Sequence, residues 1–265
     1  MGGSPAFVSD AAAREISASI TQAIDGEGGE LSVSSGQTVV SGNGAVTNFE
    51  SFKVNDNLIV TNGGSVSSAG GTVTVGKGIE IRKADGSNAA GKVEVGNIEV
   101  TDHRISNSGT LIVHGNAVSK INQADASGEV NNETGASMTV TGNITAEKQL
   151  TNKGTLKLNG TNQTLSGAKW YNTGSATISG NADASQMVVE NKGGTIKSDD
   201  ANQGALVAQT LTNLARDAQG AQIELKSLTV LDRLSNDAKS SIKANALSVG
   251  GLFENSGTVE AGSLT

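Results

Sequence analysis

The stretch Leu150-Thr151-Asn152-Lys153-Gly154-Thr155-Leu156-Lys157-Leu158 decides the fold. Its grammar is apolar, any, Asn, any, Gly, any, apolar, any, apolar. The same phrase runs upstream as Ile105-Ser106-Asn107-Ser108-Gly109-Thr110-Leu111-Ile112-Val113. Downstream it returns as Trp170-Tyr171-Asn172-Thr173-Gly174-Ser175-Ala176-Thr177-Ile178 and Phe253-Glu254-Asn255-Ser256-Gly257-Thr258-Val259-Glu260-Ala261. Looser copies centre on Asn132, Asn191, Asn213 and Asn236. From Asn107 to Asn255 the steps between these asparagines are 25, 20, 20, 19, 22, 23 and 19 residues. A period near twenty with length slips marks a stacked repeat.

The phrase also says how the repeats stack. After the Gly, apolar residues alternate with Thr, Ser and Lys, the period-2 pattern of a strand with one buried face. Asn and Gly tolerate the left-handed backbone of a sharp corner, and an Asn at the same corner of every coil can hydrogen-bond to its neighbours as a ladder. Shorter strands such as Thr164–Ser166 fill the rest of each period. One period is too small to bury its apolar face alone; parallel stacking closes a continuous interior. The expectation is an all-β, right-handed, single-stranded parallel β-helix (β-solenoid) over 29–265. At roughly 4.8 Å per coil, its eleven or so coils would make a rod on the order of 50 Å long.

Residues 29–101 keep the grammar less strictly. Val60-Thr61-Asn62-Gly63-Gly64-Ser65-Val66 reads as a copy, and so does Val46-Thr47-Asn48 with Phe52 and Val54. Leucine-rich repeats share the period, but they place the Asn after the strand and follow it with a helix or 3₁₀ turn. Antiparallel sandwiches need recurrent hairpin turns; Asn62-Gly63 and Asp85-Gly86 do not recur with the period. Residues 1–8, beginning Met1-Gly2-Gly3-Ser4, are set apart as a leader or expression remnant. An N-terminal capping α-helix is expected over 9–25, with Ser9 and Asp10 as N-caps and Ile16, Ile20, Ala23 and Ile24 on one face.

Composition agrees with a narrow core. The 265 residues hold 35 Gly, 1 Pro, 4 Phe, 1 Trp and 1 Tyr, too few large side chains to fill a compact globule of this length. There is no run of apolar residues long enough to cross a membrane as a helix. A net charge of −7 argues against a nucleic-acid partner. With no cysteine, disulfides and thiolate chemistry are excluded.

The phrases around Asn152 and Asn255 resemble the coils of autotransporter passenger domains and filamentous-haemagglutinin-type adhesins of Gram-negative bacteria. The resemblance covers roughly residues 29–265 and is one of repeat grammar. It implies a right-handed β-helix, export by type V secretion and display at the cell surface or release from it, attached to the outer membrane through a translocator outside this chain. The absence of cysteine suits passengers that cross the outer membrane unfolded. The chain departs from the pattern in lacking Asn-Pro-Asn-Gly and Gly-Asp-Ser-Gly signatures and a C-terminal translocator barrel. It is expected to be a fragment that stops in mid-coil.

Little in the residues suggests catalysis. His103 and His114 are expected to be solvated surface side chains, without the spacing of a metal site. No nucleophile elbow is present, and no glycine-rich calcium nonapeptide. Glu80 and Glu99, 19 apart, are expected as stacked neighbours in an outward charge ladder. Trp170 is expected in the core with Tyr171 facing out, and Phe49 and Phe52 on opposite faces of one strand. Length slips should become loops: 82–88, 122–128, 197–204 and 216–220. The candidate contact residues are Arg82, Asp85, Asn88, Asp125, Asp199, Asp200 and Tyr171. Asn132, Asn143, Asn159 and Asn162 open Asn-x-Ser/Thr sequons. The expected function is a non-enzymatic adhesive stalk with no cofactor or metal, its partner a host surface protein or glycan, mucus or sibling bacteria. The alternatives are a polysaccharide-processing β-helix enzyme and a self-associating module.

Overall fold

The computed structural model describes residues 14–83, 89–120, 127–200 and 203–265. Each coil has three sides. The ladder face carries Arg104–Asn107, Glu129–Asn132, Gln149–Asn152, Lys169–Asn172 and their equivalents, each hydrogen-bonded in parallel to the next. A second face stacks Thr110–Val113, Ser137–Val140, Thr155–Leu158 and Ser175–Ile178. A third stacks Ala117–Ser119 and Ile144–Ala146 on their counterparts. The ladder face has twelve rungs among the described residues, from Ser19–Ile20 to Leu252–Asn255. This is a parallel β-solenoid of about 12 turns, one more than the repeat count suggests. The only antiparallel pairings among the described residues are two isolated bridges within loops, Lys83 to Ala90 and Arg216 to Gln219.

The alternation read from the sequence sets the core. Leu111, Met138, Leu156 and Ala176 follow one another in register on the second face, all fully buried. Ile105, Val130, Leu150, Trp170, Val189, Leu211 and Leu234 do the same on the ladder face. Trp170 sits in the core as expected; its Nε1 has no hydrogen-bond partner. Phe49 and Phe52 are both buried, their ring centroids 5.8 Å apart. They do not lie on opposite faces: Phe49 is in the corner before Ser51–Val54, so a bend separates them.

The asparagines form the expected ladder. From Asn107 through Asn132, Asn152, Asn172, Asn191, Asn213 and Asn236 to Asn255, each Nδ2 donates to the next Oδ1 at 2.7–2.8 Å. The second Nδ2 hydrogen goes to a backbone carbonyl one coil on, such as Ser137 O from Asn107 and Thr155 O from Asn132. All but Asn255 are buried.

The reason for the Gly is not the one the phrase suggests. The ladder asparagines and Gly109, Gly154, Gly174 and Gly257 do not adopt positive φ. A side chain at Gly154 would instead meet Ala136 O at 2.4 Å, and one at Gly174 would meet Gly154 O at 2.2 Å. The corners of successive coils are pressed together, and only hydrogen fits between them.

Upstream of Asn107 the ladder position is aliphatic. Ile81 stands in register with Asn107, Val60 with Ile81 and Val40 with Val60. The copies read at Asn48 and Asn62 are therefore not ladder members. Asn62 lies two residues beyond the ladder position in a left-handed turn (φ 51°), and Asn48 (φ 52°) occupies the corner between the second and third faces.

The expected capping helix is absent from 14–25. Arg14–Glu15, Ser19–Ile20 and Ala23–Asp25 are three short strands, one per side of the first described turn; residues 9–13 of that expectation lie outside the described residues. Ile16, Ile20 and Ile24 each face inward from a different side or corner, so a spacing of four imitates a helix.

Replacing Asn152 by Ala strands the Nδ2 of Asn132 and the Oδ1 of Asn172 inside the core. We expect urea denaturation to show a loss of about 1–3 kcal/mol, whereas the outward-facing Asn131→Ala stays within about 0.5 kcal/mol of wild type. Leu156→Asp puts an unpaired charge in the core. It should abolish the cooperative thermal transition seen by circular dichroism.

Candidate functional site

With the interior filled, the outward rows are what the molecule offers a partner. On the ladder face the central row reads Ser106, Asn131, Thr151, Tyr171, Glu190, Thr212, Ser235 and Glu254. Tyr171 faces out between the buried Trp170 and Asn172. The ammonium of Lys169 lies 5.3 Å from its ring centroid and pairs with Glu190 one coil on. The Nε2 of Gln149 donates to Thr151 Oγ1 at 2.7 Å beside it. Tyr171 thus offers an aromatic surface ringed by a cation, a carboxylate, an amide and a hydroxyl.

Arg82 shares this face but lies four rungs away, about 19 Å at sheet spacing. Its guanidinium is 3.4 Å from Glu80, which Arg104 approaches at 3.8 Å. Asp199 and Asp200 are exposed on another corner, after Thr195–Ser198. Ser179 Oγ reaches Asp199 Oδ2 at 3.5 Å, and Gln203 N donates to the Asp200 carbonyl. Asp85, Asn88 and Asp125 lie outside the described residues. The described candidates do not converge on one site.

The charge ladder exists with different members. Glu80 is on the ladder face and Glu99 on the third face, so the two are not stacked. A step of nineteen residues matches a coil only if no corner between them is lengthened, and here the residue in register with Glu80 on the next coil is Ser106, 26 residues on. Besides the pairs within one strand, Arg82 with Glu80 and Lys92 with Glu94, ion pairs link one coil to the next: Asp56 to Lys77, Glu99 to Lys120, Glu129 to Lys148, Glu133 to Lys153 and Arg233 to Glu254. Exposed pairs of this kind contribute about 0–1 kcal/mol each, so they shape the surface more than they hold the fold.

Both histidines are accounted for by neighbours. His114 is exposed, its Nε2 3.3 Å from Glu94 Oε1, and His103 Nδ1 is 2.8 Å from the Asp102 carbonyl. A hydrogen bond from Lys92, then one from His114, holds the Glu94 carboxyl below its ordinary range. No group of three or more His, Asp or Glu among the described residues is placed to hold a metal ion.

Two features escaped the sequence reading. The first outward row of the second face is nearly all hydroxyl, with Thr110, Ser137, Thr155, Ser175 and Thr195 in register. The phrase does contain this signal, as the Thr or Ser that follows each Gly. The second is a clamp at Asp237, just past ladder Asn236. Burial pushes its pKa up, but Ala215 N, Ser240 Oγ, Lys239 N and Ser240 N all donate to it and hold the carboxyl below its usual value of 3.8. Ala215 belongs to the preceding coil, so this carboxylate ties two corners together.

The geometry defines a class: a parallel β-solenoid with an internal asparagine ladder and a polar, charge-paired lateral surface. Compared with protein-family models, curated proteins and solved structures, the chain finds no match in any of the three.

A carboxyl whose folded pKa is depressed adds stability above its unfolded pKa, and that stability is lost as pH falls through the folded value. Asp237→Asn should therefore melt below wild type at neutral pH, and the difference should vanish in acid well below 3.8. Thermal melts of both proteins across that range provide the check.

Proposed function

We propose that this chain is a non-enzymatic adhesive stalk of a secreted or surface-displayed bacterial protein, of the autotransporter or filamentous-haemagglutinin type, exported by type V secretion. Its mechanism is mechanical. A rod held by parallel pairing along its length projects side chains in fixed rows and carries them away from the cell. The observation that supports this best is the division of labour within each coil. The inward positions are committed to aliphatic packing and the amide ladder, while the outward rows carry polar, charged and aromatic side chains on the same backbone. A partner surface can be read from such rows without any catalytic pocket. The repeat grammar around Asn152 and Asn255 supports the choice of family.

The partner is a host surface protein or glycan, mucus, or the surface of sibling bacteria. Tyr171, with Lys169, Glu190 and Gln149, is the contact most suited to a sugar ring or a peptide side chain. Self-association is the second reading. It is favoured by the outward-facing Val188 and Leu252, 43% and 53% exposed, which share one row of the ladder face.

We expect the purified protein to bind epithelial cells, immobilised mucin or bacterial cells in a saturable way, and Tyr171→Ala to weaken that binding several-fold while leaving the melt unchanged. Absence of binding to all three surfaces would contradict the stalk. So would turnover in a polysaccharide hydrolysis screen. Sedimentation across a concentration series separates a monomeric stalk from a self-associating one.

A further inference from the structure

Three Asn-Gly dipeptides lie in the chain, Asn43-Gly44, Asn62-Gly63 and Asn159-Gly160. This dipeptide is the one most prone to cyclise, because glycine leaves its nitrogen unhindered. Whether it does so in a folded protein depends on what holds that nitrogen and on the turn around it. The three sites differ in both respects.

Gly44 N donates to Ser41 O at 2.9 Å, closing the turn that spans 41–44. Its own Cα lies so close to the preceding coil that an added Cβ would meet Ile20 O at 2.1 Å. Gly160 N donates to the Oε1 of the buried Gln163 at 2.8 Å. Both nitrogens are engaged, and turning either away breaks a bond that shapes its corner.

Asn62-Gly63 sits one place earlier in its turn. Gly64 N donates to Thr61 O at 2.9 Å, so Asn62 and Gly63 are the two central residues, with φ of 51° and 84°. Two positive values with this bond define a type I′ turn. The Asn62–Gly63 peptide is then the central one, and Gly63 N makes no hydrogen bond among the described residues. The Asn62 side chain makes none either, and both residues are exposed. Flipping that peptide converts type I′ to type II′ and moves ψ of the first central residue to about −120°. The closing bond from Gly64 to Thr61 survives. The flip forfeits one 3.1 Å bond, from Gly42 N to Asn62 O, and places Asn62 in the conformation that glycine favours at the first central position of a type II′ turn, so the flipped peptide is a transient state on a corner open to water. The new ψ brings the Gly63 nitrogen toward the Asn62 side-chain carbonyl carbon.

From this geometry we infer that Asn62 is a site of spontaneous deamidation in the folded protein, with water as the co-reactant. The backbone nitrogen of Gly63 forms a bond to Cγ of Asn62. The Cγ–Nδ2 bond breaks, and Nδ2 leaves as ammonia, carrying the proton lost from Gly63 N. Water then opens the succinimide at one of its two carbonyls, giving aspartate or isoaspartate. The isoaspartyl product adds a methylene to the backbone between Leu58–Thr61 and Ser65–Val75. Both strands have their register fixed by the coils on either side, so the corner cannot absorb the extra atom without local disruption. Asn62 is thus an ageing site in the part of the solenoid that lacks the asparagine ladder.

The test compares the three sites within one chain. The folded protein is aged in mildly alkaline buffer, and its peptides are followed by mass spectrometry with isoaspartate resolved chromatographically. The same is done in denaturing urea. We expect the Asn62 peptide to convert several-fold faster than those of Asn43 and Asn159 while folded, and all three to convert at comparable rates in urea. Conversion of Asn43 or Asn159 as fast as Asn62 in the folded protein would overturn the inference. So would an intact Asn62 over a period in which the unfolded chain converts.

Discussion

A primary amide buried in an aliphatic core is tolerable only when its donors and acceptor are all used. Every ladder asparagine from Asn107 to Asn236 meets that demand through its neighbours. One Nδ2 hydrogen reaches the next Oδ1, and the other reaches a backbone carbonyl across the corner. At the start of the ladder, Asn107 Oδ1 also accepts from Gly109 N. The scheme works only if each coil presents its amide at the same depth and spacing. That requirement fixes where the strand ends. At Asn107, Asn152, Asn172 and Asn255 the residue two beyond also carries no side chain, since there corner stacks on corner at near-contact distance. The recurrent Asn-x-Gly is therefore one constraint seen twice, a polar ladder inside and a steric ladder at the bend.

The ladder is not the only way to fill that position. In the coils before Asn107, Val40, Val60 and Ile81 stand in the same column with the same parallel pairing. An aliphatic side chain needs no partner, so its neighbours are free to vary. This explains why the first third of the solenoid reads less regularly while its hydrogen-bonded register is no less strict. The amide column cannot be entered or left cheaply in its middle, because a gap orphans groups on both sides. An unbroken run from Asn107 to Asn255 is the outcome.

What could be read in advance follows the same division. Trp170, Leu156 and the eight asparagines were legible because their spacing repeats with the coil. Asn62 and Asn48 resemble ladder members in sequence but occupy left-handed corners, since a phrase matched by letters does not report how many residues its corner contains. The inward residues at 16, 20 and 24 imitate a helix because three short sides of a coil return an apolar residue every fourth position. Outward candidates were harder still. Tyr171 was recognisable as the residue beside a buried Trp, yet its setting of Lys169, Glu190 and Gln149 depends on side chains from three coils. Asp237 carried no signal, because its partners Ala215 and Lys239 donate through their backbones, which any residue type supplies.

The central claim is that the side-chain amides of Asn132, Asn152, Asn172, Asn191 and Asn213 form one buried, continuous hydrogen-bonded column. Hydrogen exchange of the asparagine side-chain amides, followed by nuclear magnetic resonance, tests it most directly. The account predicts that these five Nδ2 groups exchange slowly and together, while the exposed Asn159 exchanges at the rate of a free amide. Fast exchange throughout the five, or protection at scattered members only, would contradict it.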